Sequence, residues 1–168
     1  MLTELLILHT LRRQECTIYK LRKTINSQFF LFCSASISVI HRALKSLEAA
    51  EYVKVRKSMS KGGQKSSRYS ITQEGGKHFE RLIVKELPAN PVLAQQLANI
   101  KALLLGEVEK PTRSRAIKVL KDYYKGVLAD LKDFLADNAS ESLNREFIKH
   151  EISVIDEKIK NLSFQDLN

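Results

Sequence analysis

No apolar run in this chain approaches the roughly 18 residues that a membrane-spanning helix needs, so nothing in it is expected to cross a bilayer. Cysteine is scarce. The two present, Cys16 and Cys33, lie among apolar neighbours and have no metal-ligand spacing. They read as buried free thiols, and thiols that need not pair suit a reducing cytosol. The opening MLTELLILHTLRRQE is only briefly apolar and carries Glu4 and His9. It lacks a basic segment before the apolar one and a small-residue cleavage site, so it does not read as a signal peptide. Catalytic patterns are missing too. His9, His41, His78 and His150 are scattered without an H-E-x-x-H, and no serine sits in a G-x-S-x-G elbow. Paired carboxylates fall only on exposed sides of C-terminal helices. The chain is therefore not expected to be an enzyme, and no cofactor or metal site is expected.

What is abundant is positive charge. The 168 residues carry a net charge of +9, with 43% hydrophobic residues, enough for a real core. The length suits one ordinary domain, or a small domain with an extension. Residues 1–87 hold 16 Lys and Arg against 7 Asp and Glu, whereas residues 88–168 hold 12 of each. The whole excess sits in the first half. That asymmetry predicts one half that meets a polyanion and another half with a different task.

The apolar periodicity gives the order of elements. Leu5, Leu6, Leu8 and Leu11 predict a first helix over 3–13. Thr17 is a candidate cap for a second, short helix with Ile18, Leu21 and Ile25 inward, ending near Ser27. FFLFC (29–33) reads as a packed connection. Ser34 or Ser36 then caps a third helix running to about Ala50, with Ile37, Ile40, Leu44 and Leu47 as its buried stripe. After Glu51 the period changes to two. YVKVRK (52–57) and SRYSIT (67–72) read as two half-buried strands, with Val53, Val55, Tyr69 and Ile71 inward. Thr72 closes the second strand and caps a fourth helix carrying Phe79, Leu82, Ile83 and Leu87. Three helices, a hairpin and a helix make a winged helix-turn-helix, because a two-stranded sheet needs helices beneath it. Pro88 and Pro91 mark a boundary. The expectation is a winged domain over 1–87 and an all-helical region over 88–168. In the latter, apolar stripes recur on helices over 91–107, 111–137 and about 141–162. The fold class is mainly α with a small β wing. Amphipathic helices without a domain around them suit a symmetric homodimer.

The stretch SMSKGGQKSSRYSIT (58–72) looks at first like a phosphate cradle. A Walker loop needs G-x-x-x-x-G-K-[ST] between a strand and a helix. Here the glycines are adjacent and a strand follows, so Gly62-Gly63 reads as a hairpin turn. The third helix turns Ala35, Ser38, Arg42, Lys45, Ser46 and Ala49 away from its stripe. Small and polar residues near the N-terminus and cations further along are what a helix in a DNA major groove requires. His41 and Tyr19 are each open between a phosphate contact and a packing role. Candidate DNA contacts are Thr17, Tyr19, Ser34, Ser36, Ser38, His41, Arg42 and Lys45, with Lys61, Lys65 and Arg68 on the wing.

Several segments together resemble the PadR-type transcriptional regulators. CTIYKLRKTI is similar to that family's G-Y-x-L helix, with Tyr19 and Leu21 in place. SISVIHRALKSLEAAEYV resembles S-P-G-T-L-Y-P-A-L-x-R-L-E-x-x-G-L-V through Ser36, Ala43, Leu44, Leu47 and Glu48. KGGQKSSRYSITQEGG resembles the wing motif G-G-x-x-R-x-Y-x-L-T-x-x-G through Arg68, Tyr69, Thr72 and Gly75. The likeness covers roughly 3–87; the C-terminal helices resemble the dimerisation arm of one branch. The departures are specific. Ile18 stands for the family's Gly, Ile37-Ser38 for its Pro-Gly, His41-Arg42 for its Tyr-Pro and Glu51 for another Gly, and the arm has no Trp. The resemblance implies a cytoplasmic, homodimeric repressor on a pseudo-palindromic double-stranded operator, with room for a small-molecule effector that the sequence does not identify. Two other readings stay open. One is a winged-helix protein–protein module meeting an acidic partner. The other is a MarR-like regulator, although that group places helices at both ends of its dimer interface and here the extra helix is C-terminal.

Overall fold

The computed structural model describes residues 1–59, 65–137 and 142–167, without the side chains of 58, 65, 142–144, 166 and 167. The chain divides into two compact units, residues 1–83 with 90–100, and residues 84–89 with 101–168.

The first unit is a winged helix-turn-helix. Its elements are α1 (Leu2–Arg13), α2 (Ile18–Gln28), α3 (Ile37–Ala49), strands β1 (Val53–Met59) and β2 (Lys65–Ile71), α4 (Gln73–Val84) and most of α5 (Pro91–Leu103). Leu5, Ile7, Leu21, Ile25, Ile40, Leu44, Phe79 and Ile83 are fully buried, so α1–α4 share one core. His9 is buried between Phe29, met edge-on, and Phe79, met face-on. Strands β1 and β2 pair antiparallel from Val53–Ile71 to Met59–Lys65. The predicted Gly62-Gly63 turn lies outside the described residues.

Helix α3 ends in a left-handed cap. Glu51 has φ 60°, its N–H donates to Glu48 O at 3.0 Å, and the Tyr52 N–H reaches back to Leu47 O at 2.9 Å. That pair of bonds is the Schellman arrangement, which normally uses Gly. It is also where the PadR-type pattern has its Gly. The Glu51 carbonyl then accepts the Thr72 hydroxyl at 2.8 Å, and the same hydroxyl accepts the Gly75 N–H at 2.9 Å. Thr72 thus ties the end of α3 to the start of α4, the cap expected of it.

Several packing expectations need correction. In FFLFC only Phe29 is buried, and Phe30 and Leu31 face solvent. Cys33 is half-buried while Cys16 is buried, and both are free thiols. Ile37, assigned to the stripe of α3, is only half-buried, at the first position of the helix. Ala35 was expected to face outward, yet it is buried. Asn26 clamps its backbone, accepting the Ala35 N–H at 2.8 Å and donating to the Ala35 carbonyl at 3.2 Å.

Helix α5 begins with Asn90 accepting the Leu93 N–H at 3.0 Å and Pro91 in the first turn, the usual place for Pro. It stops at Leu103, and a single 3-10 turn takes Leu105–Glu107. Its buried apolar residues are Ala94, Leu97, Ala98 and Ile100, while Val92, Leu93 and Leu103 are exposed.

The second unit contains α6 (Lys110–Asp137) and α7 (Ser142–Leu167), packed on each other. Leu131 and Phe134 share a cleft with Phe147 and Ile148, while Lys158 lies over Tyr124, so the two helices run antiparallel. Ile117, Leu120, Tyr124, Ile155 and Leu162 are buried, and Phe134 and Phe147 are exposed. Among the described residues no helix is long and apolar enough to cross a membrane.

Candidate nucleic-acid interface

Thr17 caps α2, its hydroxyl accepting the Lys20 N–H at 3.4 Å. The Lys20 ammonium turns back to Gln14 Oε1 at 3.0 Å. Tyr19 is 70% exposed, so the core alternative falls and the ring stands free at the helix start. Ser36 caps α3 by accepting the Val39 N–H at 3.3 Å, and its hydroxyl lies 2.9 Å from that of Ser38. Free N–H groups and hydroxyls at two helix N-termini make a surface suited to oxyanions.

Along α3 the residues away from the core are Ser38, His41, Arg42 and Lys45, all exposed, with Ser34 exposed just before the helix. His41 therefore leaves the packing alternative behind. The Ser46 hydroxyl is spent on the Arg42 carbonyl at 3.3 Å, so it is a poor base reader. Small polar groups precede cations along one face, and the Asn26–Ala35 clamp fixes that face relative to α2.

The wing has an inner and an outer face. Val53, Val55, Tyr69 and Ile71 alternate inward, and Lys54, Arg56 and Arg68 alternate outward. Arg56 and Arg68 sit directly opposite each other in the ladder. Arg68 lies in the strand and faces outward as the alternation predicts, and its guanidinium comes within 3.6 Å of Glu15, which also binds Arg56 at 2.8 Å. Lys61 lies outside the described residues, and for Lys65 only the backbone, paired with Met59, is described.

Sequence periodicity missed a third strand segment. The Cys16 N–H donates to Tyr69 O at 3.1 Å and the Tyr69 N–H to Cys16 O at 2.9 Å, so the corner between α1 and α2 adds a rung beside β2. One residue pair has no period, so no alternation could signal it. Burial pushes the Cys16 thiol up, against a weaker downward pull from Lys20 and Arg68, so it stays a neutral packing group. Tyr69 is pushed up by burial and by the Glu48 charge. Arg56 was missed as a site residue, although its place in YVKVRK puts it on the polar face.

The arrangement offers cations, hydroxyls and helix N-termini on one unit, and no nucleophile–base pair has emerged among these residues. No protein-family model and no curated protein matches the chain. Solved structures do resemble it. Bacillus subtilis PadR in complex with operator DNA is 17% identical, covering 99% of this chain and 97% of that one, at a TM-score of 0.49. The PadR-like transcriptional regulator of Bacillus cereus is 17% identical over 97% and 94%, at 0.41. A PadR family transcription regulator from Clostridium difficile is 21% identical over 65% of this chain and all of that one, at 0.42.

Proposed function

We propose that this chain is a sequence-specific double-stranded-DNA-binding transcriptional regulator of the PadR type, a homodimeric repressor working in the cytoplasm without catalytic activity. One observation carries the reading. Helix α3 is capped at Ser36, clamped to α2 by Asn26, and presents Ser38, His41, Arg42 and Lys45 to solvent beside a basic wing. Small residues at the start of such a helix let it sink into a major groove, and Arg reaches base edges. Thr17, Tyr19, Ser34 and Ser36 would meet the phosphate backbone, and Lys61, Lys65 and Arg68 would hold the wing on it. The concentration of the net charge of +9 in residues 1–87 supports the same partner. The exposed Phe134 and Phe147 support a second copy on the C-terminal helices, since exposed apolar patches mark contact surfaces. Two α3 helices would then enter successive major grooves about 34–36 Å apart on a pseudo-palindromic operator. An effector has no candidate among these observations.

A mobility shift with random duplex at low salt tests the reading. Binding is expected. If the dimer neutralises about 6–8 phosphates, log affinity should fall against log salt with a slope of about −5 to −7. No shift at low salt would sink the DNA reading and favour a protein module for an acidic partner.

A further inference from the structure

We propose that Glu15 is a positioning residue of the wing that holds Arg56 and Arg68 in the free protein and competes with DNA phosphate for them. This rests on the DNA-binding reading above. The Glu15 Oε1 oxygen takes both cations, Arg56 Nη2 at 2.8 Å and Arg68 Nη1 at 3.6 Å. The two arginines are cross-strand partners, and like charges directly opposite destabilise a ladder. A carboxylate at their junction offsets that repulsion. Its position is not left to a flexible loop. Glu15 precedes Cys16, whose backbone exchanges two hydrogen bonds with Tyr69, and Tyr69 follows Arg68.

The pairs are built to exchange. Arg56 is 70% exposed and Arg68 48% on their side chains, and pairs this exposed are individually weak. A phosphate accepts guanidinium groups as well as a carboxylate does. Every duplex the wing touches must therefore displace Glu15 from at least one arginine. Glu15 thus weakens indiscriminate binding through the wing and leaves a larger share of the affinity to α3.

The experiment measures binding of a random duplex to the full chain at several salt concentrations, for wild type, Glu15→Gln, Arg56→Gln with Arg68→Gln, and the triple variant. Glu15→Gln should bind roughly 3–10-fold tighter with a similar salt slope, because the same arginines reach phosphate in both proteins but no longer have to leave a carboxylate. The Arg pair variant should bind more weakly with a flatter slope. In that background Glu15→Gln should add nothing. Equal gains in both backgrounds would reduce Glu15 to one negative charge among others and overturn the proposal. So would unchanged or weaker binding by Glu15→Gln, or an Arg pair variant that binds as wild type does. Wild type that fails to bind at low salt removes the DNA reading itself, and the role of Glu15 with it. Should Glu15→Gln melt below the assay temperature, Glu15→Ala, which removes the same charge, takes its place in both backgrounds.

Discussion

Two neighbouring glycines have opposite reasons to be there. A Cβ on Gly75 would overlap the Tyr52 carbonyl oxygen and come within 2.8 Å of Ile71 Cγ1. That carbonyl also accepts the Thr72 N–H at 3.0 Å, so it cannot retreat without loosening the junction of wing and α4. A Cβ on Gly76 meets nothing within 4 Å. Gly75→Ala should therefore cost at least about 3 kcal/mol, while Gly76→Ala, inside α4, should gain about 0.5–1 kcal/mol. Urea unfolding of both variants checks this; equal effects would mean the close approach at Gly75 is not a constraint. Lys101 makes a different residue-scale case. It is fully buried, and its ammonium donates to the Lys85 carbonyl within the same unit. Burial, with Lys85 adding repulsion, lowers it from the ordinary 10.5 to about 8. Between those values the unfolded chain holds a proton that the folded chain has released. Folded stability should then rise with pH from about 8 towards about 10.5. Relative to Lys101→Met, in which that titration is absent, the wild type should gain roughly 2 kcal/mol between pH 7 and pH 9.5. A difference that stays flat with pH would show that the buried amine does not titrate in this range.

At the scale of elements, α3 shows what a sequence can and cannot disclose. Its extent and the inward Ile40, Leu44 and Leu47 follow from spacing alone, because a 3.6-residue period fixes the buried side, while spacing leaves the cap between Ser34 and Ser36 and the structure places it at Ser36. The wing follows from alternation for the same reason. Thr17 and Thr72 as caps, and the exposure of Ser38, Arg42 and Lys45, were legible too. What escaped depends on contacts distant in sequence. The Asn26–Ala35 clamp, the Cys16–Tyr69 rung and the Glu15 bridge to Arg56 and Arg68 join segments whose proximity no local pattern encodes. The same limit explains Ala35, placed outward by helical angle but lying just before the helix, where that angle does not apply. The clamp and the groove face can be separated by mutation. Asn26→Ala removes both bonds to the Ala35 backbone and should cost about 1–3 kcal/mol of stability. Arg42→Ala should leave the melting temperature unchanged and weaken specific binding by about 1–3 kcal/mol. Thermal melts beside anisotropy titrations on a selected duplex distinguish the two. Loss of stability in Arg42→Ala would give that side chain a packing role instead.

For the whole molecule, net charge is confined to one end of the chain, while exposed apolar side chains occur in both halves. Residues 1–87 carry the entire net charge of +9, and residues 88–168 are neutral. In the neutral part, Phe134 is 46% and Phe147 66% exposed, flanking a cleft of about 490 Å³ with Leu131 and Ile148. A cationic surface repels its own copy, whereas a neutral surface with aromatic side chains does not, so the proposed self-association is best accommodated by α6 and α7. Association there would matter to the proposed DNA binding through linkage. A dimer converts the second half-site contact into an intramolecular event, which raises overall affinity by about 10²–10⁴ without any new contact to bases. Replacing Phe134 and Phe147 together with Asp puts charge at two exposed positions and should spare the fold. Sedimentation should then report a monomer. Affinity for a palindromic duplex should fall by about 10²–10⁴, while affinity for a single half-site stays within about twofold, since α3 and the wing are untouched. A variant that remains dimeric, or that loses half-site and palindrome binding in equal measure, would move the self-association surface away from this cleft.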